Sequence, residues 1–374
     1  MTQKVRAFTL TLKPAGDGCN LACTHCYVAG EPKKAHVMNA ETLHEVLERA
    51  SEHAERVKIS WHGGEPLLAG VDFWKEALEY QSRLPARFRN IVQSNLTLVD
   101  EAWADFLVKN RIPVGTSLDG IRDIHDAYRV HPDGSGSFDE VLRGIDLLRE
   151  HGYDDVGAIA CYTKYMAGRL MEVYDAFRKL GISWKISPLI KSGRGDEADG
   201  DVGADIMDFA AEFNAMVDRY LFDAHSPRIG TVDNFIADLA AGAKSERSGV
   251  GAKRSCQNSN VAIDPNGDAY PCGRFTQTPE ARLGNVHDMT FEEIFSASFK
   301  RDLAGRNYDT VEGCSGCDYR KACMAGCAHS AWLDNNGDLS GRDGICEANK
   351  EIYGHILHVV GSLRKGGVAN GSGS

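Results

Sequence analysis

The feature that most constrains this chain is an alternation. From residue 7 to residue 222, stretches patterned apolar–polar at period two give way, six times over, to stretches with apolar residues every three or four positions. We read strands at 7–13, 57–61, 90–93, 114–118, 156–161 and 183–188, each followed by a helix, at 40–54, 73–82, 100–109, 137–150, 167–179 and 204–222. Asn39 is placed to cap the first helix. Ser137, with Glu140 three residues on, reads as a capping box for the fourth. Helical crossovers imply parallel strands. Six such units predict an α/β fold, an open barrel two units short of the closed eight-fold form.

Polar and glycine-rich residues gather where these strands end, the usual position of a site on such folds. The first strand runs into Cys19-Asn-Leu-Ala-Cys23-Thr-His-Cys26. The second ends in His62-Gly63-Gly64-Glu65-Pro66, the third in Ser94-Asn95, and the fourth in Ser117-Leu-Asp119. Thiolates are soft ligands that select iron–sulfur clusters or zinc. Three in one loop leave a fourth coordination position open, as a catalytic metal site requires.

The chain has 11 cysteines, three at Cys19–Cys26, seven from Cys256 to Cys346, and Cys161 alone between them. The segment 225–255 is rich in Gly, Ser, Ala and charge and reads as a linker. Beyond it the sequence is short-looped and cysteine-dense, with a hairpin turn at Asp264-Pro-Asn-Gly-Asp268 and helices at 291–299 and 347–363. A region so poor in continuous apolar elements needs metal staples. The domains read as 1–224, a linker at 225–255, a cysteine-rich domain at 256–365, and a disordered tail at 366–374 whose Gly-Ser-Gly-Ser end is not part of the fold.

In 374 residues, 42 basic side chains face 53 acidic ones, a net charge of −11 with no basic tract. That argues against nucleic acid or an anionic membrane as partner. No apolar run approaches a membrane span, and no signal peptide is apparent. Clustered cysteines without these signals suggest a cytoplasmic protein with metal-bound thiolates rather than disulfides.

Cys19-x3-Cys23-x2-Cys26 after the first strand, with Gly63-Gly64-Glu65-Pro66 after the second, resembles the radical SAM superfamily. The resemblance implies a partial (β/α)6 barrel in which Cys19, Cys23 and Cys26 hold a 4Fe-4S cluster. Its open iron chelates S-adenosyl-L-methionine, and cleavage of that cofactor gives a 5′-deoxyadenosyl radical that takes hydrogen from a substrate. By the same analogy Gly63, Gly64 and Glu65 meet the methionine amino group. Ser94, Asn95 and Ser117 offer polar contacts to the cofactor, and Tyr27 packs near the adenine. Two readings stand for Asp119, a catalytic residue or a turn aspartate. Two also stand for Cys161, a core residue or a hydrogen-atom donor of the kind an epimerase needs. Glu65 is equally placed to cap the next helix.

The later cysteines resemble a SPASM domain, which holds two auxiliary 4Fe-4S clusters, for three clusters in all. The resemblance assigns Cys314, Cys317, Cys323 and Cys346 to one, and Cys256, Cys272 and Cys327 to the other. Sulfatase-maturing members carry a further cysteine between the first of these and the hairpin, and an aspartate base directly after Cys272. Here 257–270 holds no cysteine, and Gly273 follows Cys272. Both departures point away from formylglycine formation. The segments around Ser117, Ile124-His-Asp126 and Gly136-Ser-Phe138 resemble maturases of ribosomally made peptides, including those that form side-chain cyclophane cross-links. The implied partners are a precursor peptide, an external flavodoxin- or ferredoxin-like electron donor and a separate leader-binding protein.

Overall fold

The computed structural model describes residues 4–28, 34–189, 192–197, 202–241 and 254–369. The strands are β1 (Phe8–Leu12), β2 (Arg56–Trp61), β3 (Arg87–Ser94), β4 (Val114–Ser117), β5 (Gly157–Tyr162), β6 (Ser183–Pro188), β7 (Asn260–Ile263), β8 (Asp268–Tyr270) and β9 (Gly284–Asn285). All six strands of the predicted alternation are present, with helices between them.

The chain divides into two compact units that interleave in sequence: 1–160 with 190–202 and 256–305, and 161–189 with 203–255 and 306–374. In the first unit the sheet runs β5-β4-β3-β2-β1-β7-β8-β9. The pairings from β5 to β1 are parallel. β7 then joins β1, also in parallel, with Thr9 opposite Asn260 and Leu12 opposite Ile263. The hairpin read as part of a separate cysteine-rich domain therefore extends the barrel sheet itself, with antiparallel β8 and β9 completing it.

Alternation decides which face is core. Phe8, Leu10 and Leu12 of β1 and Val57, Ile59 and Trp61 of β2 are buried, and their neighbours Thr11 and Ser60 point to the opposite face. Against the buried face lie helices Val71–Ser82 and Glu101–Lys109. Trp74 bridges the two layers, 4.9 Å from the ring of Trp61 and 5.5 Å from that of Trp103. Such pairs add about 0.5–1.5 kcal/mol each beyond their buried area.

Asn39 caps helix Ala40–His53, accepting from the Thr42 amide at 2.8 Å. The capping box expected at Ser137 does not form. Ser137 Oγ donates instead to the Arg129 carbonyl at 2.7 Å, and Asp126 accepts from the Phe138 amide at 2.9 Å. A capping box forms at Thr290 and Glu293, ahead of helix Phe291–Phe295.

In the second unit, helix Ile206–Phe222 buries Phe209, Phe213 and Met216. Tyr162 donates to Glu212 at 2.5 Å, and the same carboxylate accepts from the Gly168 and Leu170 amides. Where composition suggested a linker, Gly230–Ala241 is a helix with Val232 and Phe235 buried. Its apolar residues fall on one face, which the surrounding Gly and Ala content masks. The remainder of that segment, 242–253, lies outside the described residues, as do 370–374 of the tail. The last helix runs Cys346–Ala369, past the expected start of the tail at 366. Among the described residues no helix is long and apolar enough to cross a membrane.

Candidate functional site

The cysteine loop is held by the strand end beside it. The Gly64 amide donates to the Gly16 carbonyl at 2.9 Å, and the Glu65 amide to the Gly18 carbonyl at 2.8 Å. A Cβ on Gly64 would lie 2.0 Å from the Gly18 oxygen. One on Gly63, whose φ is +122°, would lie 2.6 Å from the Gly16 oxygen. The paired glycines thus admit the backbone of the cysteine loop, a close approach that only glycine permits.

Glu65 is 1 % exposed. Its carboxylate accepts from Ser94 Oγ at 2.8 Å, the Asn95 amide at 2.8 Å and the Leu67 amide at 3.0 Å. The last bond caps the short helix Pro66–Ala69, so the capping alternative for Glu65 is realised. Burial pushes its pKa up to about 7 against the pull of these three donors. Asn95 reaches on to the loop: its amide nitrogen donates to Asn20 at 2.9 Å and lies 3.8 Å from Cys19 Sγ. Thr97 closes the ring, accepting from Asn20 at 2.7 Å and donating to Asn95 at 2.9 Å. Glu65, Ser94 and Asn95, the residues expected to meet the cofactor, form a hydrogen-bonded chain that ends beside Cys19.

Two of the three thiols are strongly shifted. Burial raises the pKa of Cys19 to about 12, reinforced by the charges of Glu65, Cys23 and Cys26 and opposed by the Leu21 amide, which lies 3.4 Å from the sulfur. Burial raises Cys23 to about 11, while Arg129 and Arg194 oppose it. Thiols so placed ionise only when a metal takes the proton's position. Among the described residues, no three His, Cys, Asp or Glu side chains converge as the ligands of a single ion would. A four-iron cluster binds one thiolate per iron, with its ligand atoms held apart by the cluster's own width. Neighbouring half-buried thiols, an N–H directed at one sulfur and arginines within electrostatic reach suit such an anionic group.

Asp119 is 3 % exposed and gripped by Arg129, from Nε to Oδ2 at 2.6 Å and from Nη2 to Oδ1 at 3.2 Å. Burial opposes its ionisation, but Arg129, with His125 and His25, holds its pKa below the usual carboxylate range. His125 is fully buried and hydrogen-bonded to Ser137 at 3.1 Å. His25, inside the cysteine loop, packs edge-on to Tyr128 with ring centres 5.7 Å apart. Asp119 and Arg129 both act on Cys23, so this network backs the second cysteine as the Glu65 network backs the first.

Ser117 ends β4 on the less buried face, its backbone paired opposite Ile159 of β5, and its hydroxyl has no hydrogen-bond partner among the described residues. Tyr27 lies 6.4 Å from the ring of His62. Burial raises its pKa, and the charges of Cys26 and Cys272 act in the same direction. Cys161 shares the less buried face of β5 with Ile159, alternating with buried Ala160 and Tyr162.

Of the later cysteines, Cys314, Cys317, Cys323 and Cys346 line a single cavity in the second unit, together with Arg342, Lys350 and Tyr353. Arg342 Nη1 lies 3.9 Å from Cys346 Sγ. This donor set fits a fully thiolate-bound cluster. Cys256 and Cys272 belong to the first unit, Cys327 to the second. The Cys327 amide donates to buried Asp343 at 2.8 Å.

Sequence reasoning missed Arg129, His25, Lys13 and Lys300. Lys13, 1 % exposed, ion-pairs with Asp17 and donates to Thr276 at 2.9 Å. A basic residue within a strand gives no sign in the sequence that it will be buried.

Comparison with known proteins agrees with this geometry. Residues 14–169 match the model of the radical SAM superfamily, and residues 255–318 match that of an iron–sulfur cluster-binding domain, SPASM. The serine-type anaerobic sulfatase-maturating enzyme of Bacteroides thetaiotaomicron is 28% identical, covering 95% of this chain and 90% of that one. The cysteine-type enzyme of Clostridium perfringens is 26% identical, covering 95% and 99%. Among solved structures, anSMEcpe with bound AdoMet and Cp18Cys peptide superposes with a TM-score of 0.83 at 24% identity, covering 96% of this chain and 99% of that one. Streptococcus suis SuiB bound to precursor peptide SuiA gives a TM-score of 0.66 at 18% identity, covering 91% and 76%.

Proposed function

The chain belongs to the radical SAM superfamily and carries a SPASM iron–sulfur domain, and from this premise we propose that it is a peptide maturase that oxidatively cross-links side chains of a ribosomally made precursor, as cyclophane-forming enzymes do. It is an enzyme acting on a peptide or protein residue, and it uses iron–sulfur clusters with S-adenosyl-L-methionine. When bound, the Cys19/Cys23/Cys26 cluster and its cofactor supply the radical that removes a hydrogen atom from the substrate. The chain's own residues orient and enclose: the Glu65–Ser94–Asn95 struts fix Cys19, Asp119 and Arg129 back Cys23, and Ser117 offers an uncommitted hydroxyl. A flavodoxin- or ferredoxin-like donor supplies the electron, and a separate protein presents the precursor's leader, within the cytoplasm.

The observation that carries the reading is Gly273. A Cβ there would meet only Thr11 Cγ2, at 3.4 Å, an ordinary contact. Packing therefore does not demand glycine where sulfatase-maturing members carry their aspartate base. The missing carboxylate is a chemical difference, and it supports a reading other than formylglycine formation.

A second reading, maturation of a sulfatase serine or cysteine, is favoured by the sulfatase-maturating relatives that align along nearly the whole chain. Anaerobic turnover with a candidate precursor and with a sulfatase-derived peptide decides between them. Cross-linking gives a product lighter by two hydrogens, resistant to fragmentation between the joined residues and unreactive toward hydroxylamine. A hydroxylamine-reactive aldehyde from the sulfatase peptide overturns the proposal.

A further inference from the structure

Lys300 lies in helix Ser298–Gly305 and is 1 % exposed, yet no carboxylate pairs with it among the described residues. Its ammonium donates to two carbonyls, that of Asn260 and, at 3.3 Å, that of Pro271. It also stands 5.3 Å from the centre of the Phe295 ring. A buried cation without an anion is costly. Burial accordingly pulls its pKa down to about 8, and the charges of Cys272 and Cys256 oppose this. The two carbonyls it binds belong to the residue just before Cys272 and to the first residue of β7. The side chain of that first residue, Asn260, donates to Cys256 Sγ at 3.3 Å. Lysine, amide and both cysteines all lie within the first compact unit.

We propose that Lys300 is the fixed counter-cation of the auxiliary iron–sulfur cluster bound by Cys256 and Cys272, and that its charge raises that cluster's reduction potential. The proposal rests on the reading of those cysteines as cluster ligands. A thiolate-bound cluster is anionic and gains a further negative charge on reduction, so a cation held close by in a low-dielectric interior stabilises the reduced form more. Net charge, hydrogen bonds to sulfur and exclusion of solvent are the terms that set such potentials. Lys300 supplies the first and Asn260 the second.

The test uses the full chain, reconstituted anaerobically with iron and sulfide, and reads each cluster's midpoint by electron paramagnetic resonance during dithionite titration. K300M and K300Q are expected to shift one auxiliary midpoint to lower potential and leave the other clusters unmoved, whereas K300R holds the wild-type value. K300Q keeps a donor for the Asn260 and Pro271 carbonyls, so it reports the charge if K300M fails to fold. An unchanged midpoint in K300Q, or an equal fall in K300R, overturns the proposal. Failure of the underlying reading has a different signature: a C256A/C272A variant retaining the wild-type iron and sulfide content would show that these cysteines hold no cluster.

Discussion

Arg129 holds Asp119 in a two-point grip, Nε to Oδ2 at 2.6 Å and Nη2 to Oδ1 at 3.2 Å, with the Asp119 side chain almost wholly buried. Both oxygens of the carboxylate are engaged, so Asp119 is expected to act as a positioning residue behind Cys23. Removing one partner of a buried pair leaves the other uncompensated and costs about 3–5 kcal/mol. D119N is therefore expected to lower the urea midpoint and the iron content together. Activity per chain falls with iron, while activity per bound cluster is largely kept. The double variant D119L/R129M, which removes both charges, recovers part of the lost stability. A D119N protein with full iron and no turnover would instead make Asp119 catalytic.

The barrel was legible in the sequence because its signals are local. Period-two strands, amphipathic helices and turn residues at strand ends follow from backbone geometry a few residues at a time, and the cysteine spacing fixed the metal loop. What long-range pairing decides was hidden. Ser137 carries the sequence of a capping box, but its hydroxyl is drawn to the Arg129 carbonyl and His125, and Asp126 takes over the cap. Likewise β7 pairs with β1 across 251 positions, Val261 opposite Leu10, and only the formed sheet reveals it. Gly63, Gly64 and Glu65 were found by motif, but their contacts to Gly16, Gly18, Ser94 and Asn95 are tertiary.

Gly64 gives a sharp steric test. A methyl group there would lie 2.0 Å from the Gly18 carbonyl oxygen, a backbone atom that cannot rotate aside. G64A must push the loop before Cys19 away from the end of β2 and break the bonds to Gly16 and Gly18. The expected result is a destabilised chain that binds sub-stoichiometric iron at its first cluster, read as loss of the cofactor-responsive paramagnetic signal. G361A, in the last helix at a position with no positive φ and nothing within 4 Å of the added carbon, controls for glycine replacement as such.

Glu65 predicts a pH dependence. Its folded pKa of about 7 lies above the reference value of 4.5, so the fold prefers the protonated form. The associated stabilisation is complete below about pH 4.5, is lost as pH rises toward 7, and is gone above it. E65Q cannot titrate. The stability of the cluster-free wild type relative to E65Q should therefore fall between those pH values, by on the order of 3 kcal/mol for a shift of this size. Urea denaturation of both proteins at pH 5 and pH 8 measures it. A difference independent of pH would mean that Glu65 is ionised throughout, held so by the Ser94, Asn95 and Leu67 donors.

Gly273 offers the complementary test of chemistry without damage to the fold. Among the described residues, the Cβ of G273D would touch only Thr11 Cγ2 at 3.4 Å, an ordinary van der Waals contact, so the added carbon meets no clash. The variant should fold, bind its iron and cleave S-adenosyl-L-methionine as the wild type does. What it adds is a carboxylate directly after Cys272, where sulfatase-maturing members carry their base. If that base is what this chain lacks, G273D gains formylglycine formation on a sulfatase-derived peptide, seen as a hydroxylamine-reactive product absent with the wild type. An aldehyde formed equally by both proteins would show that the base is supplied elsewhere, and would return sulfatase maturation to first place.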